Sequence, residues 1–289
     1  MKPRRFPDLR GFLQDACTHA SHHGRELPFL PFYVKENPVG WLTPAFAAEL
    51  ERWPHIFEAH GAWVKLKPES NAERTAAMEE VTRALAREGL LHGWRDEPVS
   101  VSTHYAAPEL MRVERAASRY FGFLCYGAHL NGFTRRGGTM HAWIARRSAR
   151  KAVDPGMLDN LVGGRIAAGF TVDETIRKEA WEEAGIAPAQ LEGLYCAGAI
   201  RVEYTVPEGL HREILFVHDL WLPPGFVPAN QDGEVQDIQL MRAEDVVERI
   251  LAGEFTPDAG AVMIDAFLRQ GIPAPEDPQY LELLHLLKP

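Results

Sequence analysis

Residues 163–186 read GGRIAAGFTVDETIRKEAWEEAGI, and this stretch constrains the chain more than any other. A glycine pair opens it. Thr171-Val172-Asp173-Glu174 has the form of a capping box, in which Thr171 caps a helix and Glu174 reaches back to it. The helix is expected to run to Ala184, with Gly185 as its stop. At about 100° per residue, Glu179, Glu182 and Glu183 fall within an arc of roughly 100°. Ile176, Ala180 and Ala184 occupy the neighbouring arc and are expected to face a sheet, with Glu183 partly buried at the border. Carboxylates crowded on one arc repel each other, and burial makes each ionised form costlier. Surface helices usually relieve such crowding with lysines, but helical phase points Arg177 elsewhere. A hard cation with oxygen ligands resolves the conflict. Mg²⁺ suits it because that ion accepts few carboxylates alongside waters and phosphates. Helix spacing alone leaves a solvated acidic face as the alternative.

Bulk properties remove several function classes. The 289 residues suffice for one large domain or two ordinary ones, and 46% apolar with 25% charged residues is a globular composition. Cys17, Cys125 and Cys196 are too scattered for a disulfide framework or a thiolate metal site, which fits a reducing, cytoplasmic setting. The N-terminal MKPRRFPDLRGFL is basic without an apolar core of signal-peptide length. No run approaches the roughly 18 apolar residues of a membrane helix, so no membrane partner is expected. A net charge of −9 argues against a general nucleic-acid binder. It also means that an anionic diphosphate substrate would need a cation to offset repulsion. No H-x-x-x-H pair falls in a segment read as a helix, so a zinc enzyme is rejected; G-x-S-x-G and P-loop motifs are absent too.

The chain divides near residues 95–120. Upstream, LPFYVKENPVGWL reads as strand, turn at Asn37–Pro38, and strand, and Thr43-Pro44 opens a helix. A longer helix follows in SNAERTAAMEEVTRALAREGLL, with Ala77, Val81, Ala84 and Leu85 at helical spacing and Gly89 as its stop. Downstream, YFGFLCYGAHLNGFT, TMHAWIARRS, GLYCAGAIRVEYTV and REILFVHDLWLP read as strands, the last pair joined by PEGLH. The strand 214–222 is apolar on nearly both faces, as a central strand is. AEDVVERILAG and PDAGAVMIDAFLRQG read as helices. The expectation is an α/β/α sandwich with a mixed sheet over residues 119–289, preceded by a small α+β domain over 1–118.

The glycine–glutamate stretch resembles the Nudix box, G-x5-E-x7-R-E-U-x-E-E-x-G-U with U aliphatic. Gly164 matches the first glycine, Glu179, Glu182 and Glu183 the glutamates, and Gly185-Ile186 the ending. Phe170 stands where the first glutamate belongs, Lys178 replaces the arginine, and Ala180 is a small occupant of the aliphatic position. In the family those first two residues mainly brace the loop. Glu174 is a substitute brace or simply a helix cap. LNGFTRR, HAWIARRSARK, PGMLDNLVGGRI and DGEV resemble a Nudix branch with an N-terminal extension, related to a domain fused to thiamine pyrophosphokinase. FYVKENPVGWL and GWRDEPVSV resemble its extension.

The resemblance implies a hydrolase that cleaves a diphosphate linkage with Mg²⁺, or Mn²⁺, as cofactor. Glu179, Glu182 and Glu183 would be ligands, Glu182 or Glu183 doubling as base, and Gly164's carbonyl a further ligand. A later loop often adds an acid: NQDGEVQDI offers Glu234, then Asp237, with a plain Asp232-Gly233 turn equally open. Arg146, Arg147 and Lys151 are candidates for phosphate, or are solvated. Asn131, His141 and Trp143 are candidates for the organic group, or are core and hydrogen-bonded residues. The partner is a small-molecule diphosphate, and a homodimer is admissible.

Three readings follow. The first is hydrolysis of a small organic diphosphate, a thiamine diphosphate analogue in particular, to the monophosphate. The second takes a nucleoside-diphosphate-linked substrate such as ADP-ribose or a dinucleotide. An isomerase variant, like isopentenyl diphosphate isomerase, ranks low because Cys196 reads as a strand core residue and not as a nucleophile. The third is a non-catalytic binding module, disfavoured because all three metal-side glutamates are present.

Overall fold

The computed structural model describes residues 6–17 and 29–288, so the basic run 1–5 lies outside the described residues. Two sheets dominate. The first is four-stranded, in the order β2-β1-β4-β3, from β1 (Leu30–Val34), β2 (Asn37–Leu42), β3 (Phe57–His60) and β4 (Trp63–Leu66). The turn between β1 and β2 falls at Lys35–Glu36, not at Asn37–Pro38, and Lys35 takes a left-handed φ of 56°. Pro38 is tolerated inside β2 because that strand is at the sheet edge, where a missing N–H breaks no ladder.

Short helices and a hairpin complete this N-terminal unit. Thr43 caps α2 (Pro44–Leu50), its hydroxyl accepting from Phe46 N at 3.1 Å. Ser70 and Glu73 form a capping box on α3 (Asn71–Arg87), whose buried face is Met78, Val81 and Leu85, with Ala77 and Ala84 half-buried. A two-stranded ribbon, β5 (Pro98–Val101) with β6 (Met111–Glu114), precedes the one-turn α4 (Ser118–Phe121). The core centres on Phe32, Phe121 and Phe123; the last two stack with centroids 5.2 Å apart. Residues 120–123 therefore pack with the extension, beyond the expected boundary at 118.

The second sheet is seven-stranded and mixed. Its path is β11-β12-β7-β8-β13, with β10 paired to β7 and β9 to β8. The strands are β7 (Cys125–Arg136), β8 (Thr139–Arg147), β9 (Leu158–Asp159), β10 (Val162–Arg165), β11 (Cys196–Val206), β12 (Gly209–Trp221) and β13 (Val235–Arg242). β12 and β7 are parallel, while β11–β12, β7–β8, β8–β13 and β7–β10 are antiparallel. Strand alternation gives the sheet two apolar faces. Ala128, Leu130 and Trp143 pack with Ile176, Ala180 and Ala184 of α5 (Val172–Ala184). Phe133, Ala142, Ile144, Leu215 and Val217 pack beneath α6 (Ala243–Leu251) and α7 (Pro257–Arg269). The result is the α/β/α sandwich expected from the sequence.

The first helix crosses the domain division. α1 (Arg10–Cys17) places Leu9, Leu13, Ala16 and Cys17 in the core under α7 and α8 (Tyr280–Leu287), not in the extension. Gln279 ties it down, accepting from Leu9 N at 2.9 Å. Cys196, expected in a strand core, is exposed at the start of β11. Among the described residues, no helix is long and apolar enough to cross a membrane.

Candidate active site

Helix α5 forms as its sequence dictates. Thr171 and Glu174 make the reciprocal capping box, and Gly185 ends the helix at φ 65°. Glu174's carboxylate lies on Thr171 N and Oγ1 at 2.9 and 2.8 Å, so it is a cap and not a substitute brace. The buried apolar stripe seats α5 on the sheet and turns its glutamates toward strand β10.

Gly163 N donates to Glu183 Oε2 at 2.9 Å across the open edge of β10. Only 7% of Glu183 is exposed. Burial pushes its carboxyl up to about 8, against the pull of Lys151, whose Nζ is 3.9 Å away, and of the Gly163 N–H. Burial also raises Glu179, with Lys178 opposing and Glu182 and Glu234 adding repulsion. Lys178, in the family arginine's place, lies 3.1 Å from Glu179 Oε1 and 2.6 Å from Glu182 Oε2. Among the described residues it is the cation paired with these two carboxylates. The three glutamates do not form a group whose ligand atoms all lie within 4.8 Å of one another among the described residues.

Ladder alternation decides which glycine carbonyl is open. Ile166 N donates to Tyr126 O at 2.8 Å. Residue 164 therefore turns its N–H and C=O toward β7 as well, while Gly163 turns both away. The carbonyl free to meet a cation is Gly163's, and the expectation that Gly164 supplies it is corrected. Gly164 supplies space instead: a Cβ there would stand 2.4 Å from Glu179 Cγ. An all-oxygen donor set, a carboxylate buried against its own ionisation and a glycine cradle fit a hard divalent cation.

The loop after β8 and the loop before β13 add a second cluster. Lys151 Nζ is hydrogen-bonded to Glu234 Oε2, and Arg95 of the extension donates to Glu234 Oε1 at 3.3 Å. Burial opposes ionisation of Glu234, but Lys151 and Arg95 hold its carboxyl below the usual range. Lys151 thus links Glu234 to Glu183. Arg95 was not legible in the sequence, because nothing in a loop of a separate unit marks it as a neighbour of residue 234.

Other expected residues fall elsewhere. Arg147 lies against this region, bonded to Asp159 Oδ2 at 2.7 Å. Arg146, next in the strand, points to the other face, where it holds Gly156 O at 2.8 Å and faces Asp237 at 3.5 Å, so neither Arg146 nor Asp237 joins the site. His141 sits at the far end of β8, roughly 20 Å from Arg147 at about 3.3 Å per residue, bonded to Thr139 O. Asn131 is 1% exposed, its amide engaged by Asn160 and Asp219. Trp143 is buried in the core under α5.

A cavity of about 250 Å³ borders the same glycines. Its walls include Gly163, Gly164, His129 and Asp258 of the sandwich and His92 and Arg119 of the extension. His211, Glu213 and Asp258 in this cavity do form a group within 4.8 Å. Their carboxylates are already engaged: Arg165 donates to Glu213 Oε2 at 3.0 Å, Tyr204 donates to Asp258 Oδ1 at 3.2 Å, and His211 Nε2 lies 3.3 Å from Asp258 Oδ2. Arg119 Nε donates to His211 Nδ1 at 3.3 Å, so Nε2 carries the ring proton and is not a ligand.

A sandwich with a glutamate helix over a glycine strand defines a Nudix-type hydrolase. Comparison with known proteins agrees: the NUDIX domain matches residues 130–263, and a domain of unknown function (DUF4743) matches residues 12–124. Nudix hydrolase 24, chloroplastic, of Arabidopsis thaliana is 36% identical, over 99% of this chain and 80% of its own length. Nudix hydrolase 20, chloroplastic, of the same plant is 35% identical, over 97% and 78%. The NUDIX domain of Shewanella oneidensis NrtR, solved with ADP ribose, aligns with a TM-score of 0.42 at 14% identity, over 52% of this chain and 90% of that one. The chain belongs to the Nudix hydrolase family.

Proposed function

We propose that the protein is a Mg²⁺-dependent hydrolase of a small organic diphosphate, a thiamine diphosphate analogue being the leading substrate, and that it releases the monophosphate. The observation that carries this reading is the seating of Glu179 and Glu183 against Gly163–Gly164, beside Lys151 and Glu234. Glu179, Glu182, Glu183 and the Gly163 carbonyl would hold the ion, with Mn²⁺ as a substitute. When bound, such an ion polarises phosphoryl oxygens and lowers the pKa of water. In the reaction a water oxygen bonds to one phosphorus, the bridging P–O bond breaks, and the other phosphate, inorganic or carrying the organic group as its monophosphate, departs with the bond's electrons. Glu182, the most exposed of the three helix glutamates at 35%, is our choice to accept the water proton. Lys151 and Arg147 sit where cationic hydrogen bonds can hold a phosphate. The unpaired cysteines suit a reducing compartment, and the cytoplasm is the one we propose.

A product-release screen with Mg²⁺ tests this across thiamine diphosphate and its oxidised analogues, ADP-ribose, dinucleotides and nucleoside triphosphates. Turnover should need the metal, vanish with chelator and return with Mg²⁺. Glu182→Gln and Glu183→Gln should each lower kcat by at least roughly a hundredfold. Turnover of nucleotides alone would remove the thiamine assignment. Ligand affinity without any turnover would make the protein a binding module.

A further inference from the structure

The cavity behind Gly163–Gly164 has two owners. The sandwich supplies its floor, and α4 of the extension projects Arg119 into it. Arg119 uses Nε on His211, and its two terminal nitrogens have no hydrogen bond or ion pair among the described residues. Asp154 lines the cavity from a left-handed turn at φ 49°, and its carboxylate is likewise without a hydrogen bond or ion pair. Arg119 and Arg147 act on the Asp154 carboxylate across the cavity, opposing the effect of its burial, but no direct hydrogen bond joins them, so the terminal nitrogens and the carboxylate both face one space.

His129 adds an acceptor. Asn131 Nδ2 donates to Asp219, and Asn160 Nδ2 donates to Asn131 Oδ1 at 2.9 Å. That leaves Asn160 Oδ1 to accept, at 2.7 Å, from His129 Nδ1. The proton is therefore on Nδ1 and Nε2 keeps its lone pair. The cavity thus offers a donor fork from Arg119 and acceptors from Asp154 and His129. Its volume of about 250 Å³ is small. That is room enough for a small polar ring.

We propose that this cavity receives the organic group of the diphosphate and that Arg119, carried by the extension, is its specificity-determining residue. Arg119 holds an oxygen or ring-nitrogen acceptor of a single polar ring, a sugar or an amino-bearing heterocycle, while Asp154 and His129 take the ring's donors. The placement follows because Gly163 and Gly164 form both the bed of Glu183 and Glu179 and the rim of the cavity. This rests on the diphosphate-hydrolase reading, and it gives the extension a part in choosing substrate.

Binding can be separated from turnover. Calorimetry on the full chain without metal would compare thiamine monophosphate, ribose 5-phosphate, AMP and inorganic phosphate, for wild type, Arg119→Met, Arg119→Lys and Asp154→Asn. Arg119→Met should weaken the preferred ring-bearing monophosphate by about tenfold to a hundredfold, as loss of a charged hydrogen bond does, with Arg119→Lys recovering part. Inorganic phosphate should change by less than about twofold, since its contacts lie at Lys151 and Arg147. In steady state KM should rise with kcat nearly constant. A melting curve checks folding; if Arg119→Met melts early, Asp154→Asn carries the comparison. The proposal is overturned if no ring-bearing probe binds wild type, if both cavity variants bind as wild type does, or if inorganic phosphate is lost in parallel. Should Glu182→Gln and Glu183→Gln keep full turnover, the hydrolase reading fails separately, whatever the calorimetry gives.

Discussion

A methyl group on residue 164 would stand 2.4 Å from Glu179 Cγ, so Gly164→Ala must push that side chain aside. The obstacle is Cγ and Cδ of a mostly buried side chain, so overpacking should also cost about 1–3 kcal/mol of stability. Turnover should fall about a hundredfold, the scale expected for a misplacement near 1 Å; equal melting temperatures with unchanged kcat would refute this. A second residue-scale prediction concerns acid. Burial disfavours ionised Glu203, but Arg212 and Arg201 outweigh it and hold its carboxyl below the ordinary range. A depressed folded-state pKa stabilises above the unfolded value of about 4.3 and is lost as pH falls through the folded value. Glu203→Gln should therefore cost about 3–5 kcal/mol at neutral pH and flatten the acid limb of a stability–pH curve. A parallel, unflattened acid limb would count against it. The glutamates of the site were legible because spacing on a helix is a local property. Gly163's open carbonyl was not, because it depends on which edge of β10 is paired.

At the scale of elements, α5 is a capped helix whose cap and chemistry are separable. Thr171→Ala should destabilise by about 1 kcal/mol, the usual value of a lost N-cap. Glu174→Gln keeps a group able to accept from Thr171 N, so it should leave both melting temperature and kcat near wild type. A large kcat loss there would restore the bracing role that the hydrogen bonds to Thr171 argue against. Strand β8 shows what element direction decides. Arg146 and Arg147 are neighbours in sequence, yet pleating sends one toward Asp237 and the other toward Asp159.

Across the whole molecule, the extension and the sandwich are joined by specific polar contacts and by a helix that crosses the division. Arg165 follows the glycine pair directly, and it bonds Glu213 while reaching Ser118 Oγ at 3.0 Å. Arg95 reaches Glu234 from the extension. α1, at the other end of the chain, sits under α7 and α8. Leu13→Ala should cost about 2–5 kcal/mol, as a buried leucine truncation does, and Leu13→Met much less. A loss confined to the extension, read by hydrogen exchange in residues 30–114 alone, would contradict the packing of α1 on the sandwich.

The sequence by itself determined the sandwich, the capped glutamate helix and its family, because those follow from periodicities and spacings that act within a few turns. It pointed to Glu234 and Lys151 as candidates without deciding that they meet. Tertiary structure alone decided that Lys151 reaches both Glu234 and Glu183 and that Arg95 joins them. It also withdrew Asn131 into a hydrogen-bonded chain and left His141 at the far end of its strand. Those outcomes depend on contacts between residues up to 139 positions apart, as for Arg95 and Glu234. No local pattern encodes them, because the energy that fixes them comes from packing whole faces together.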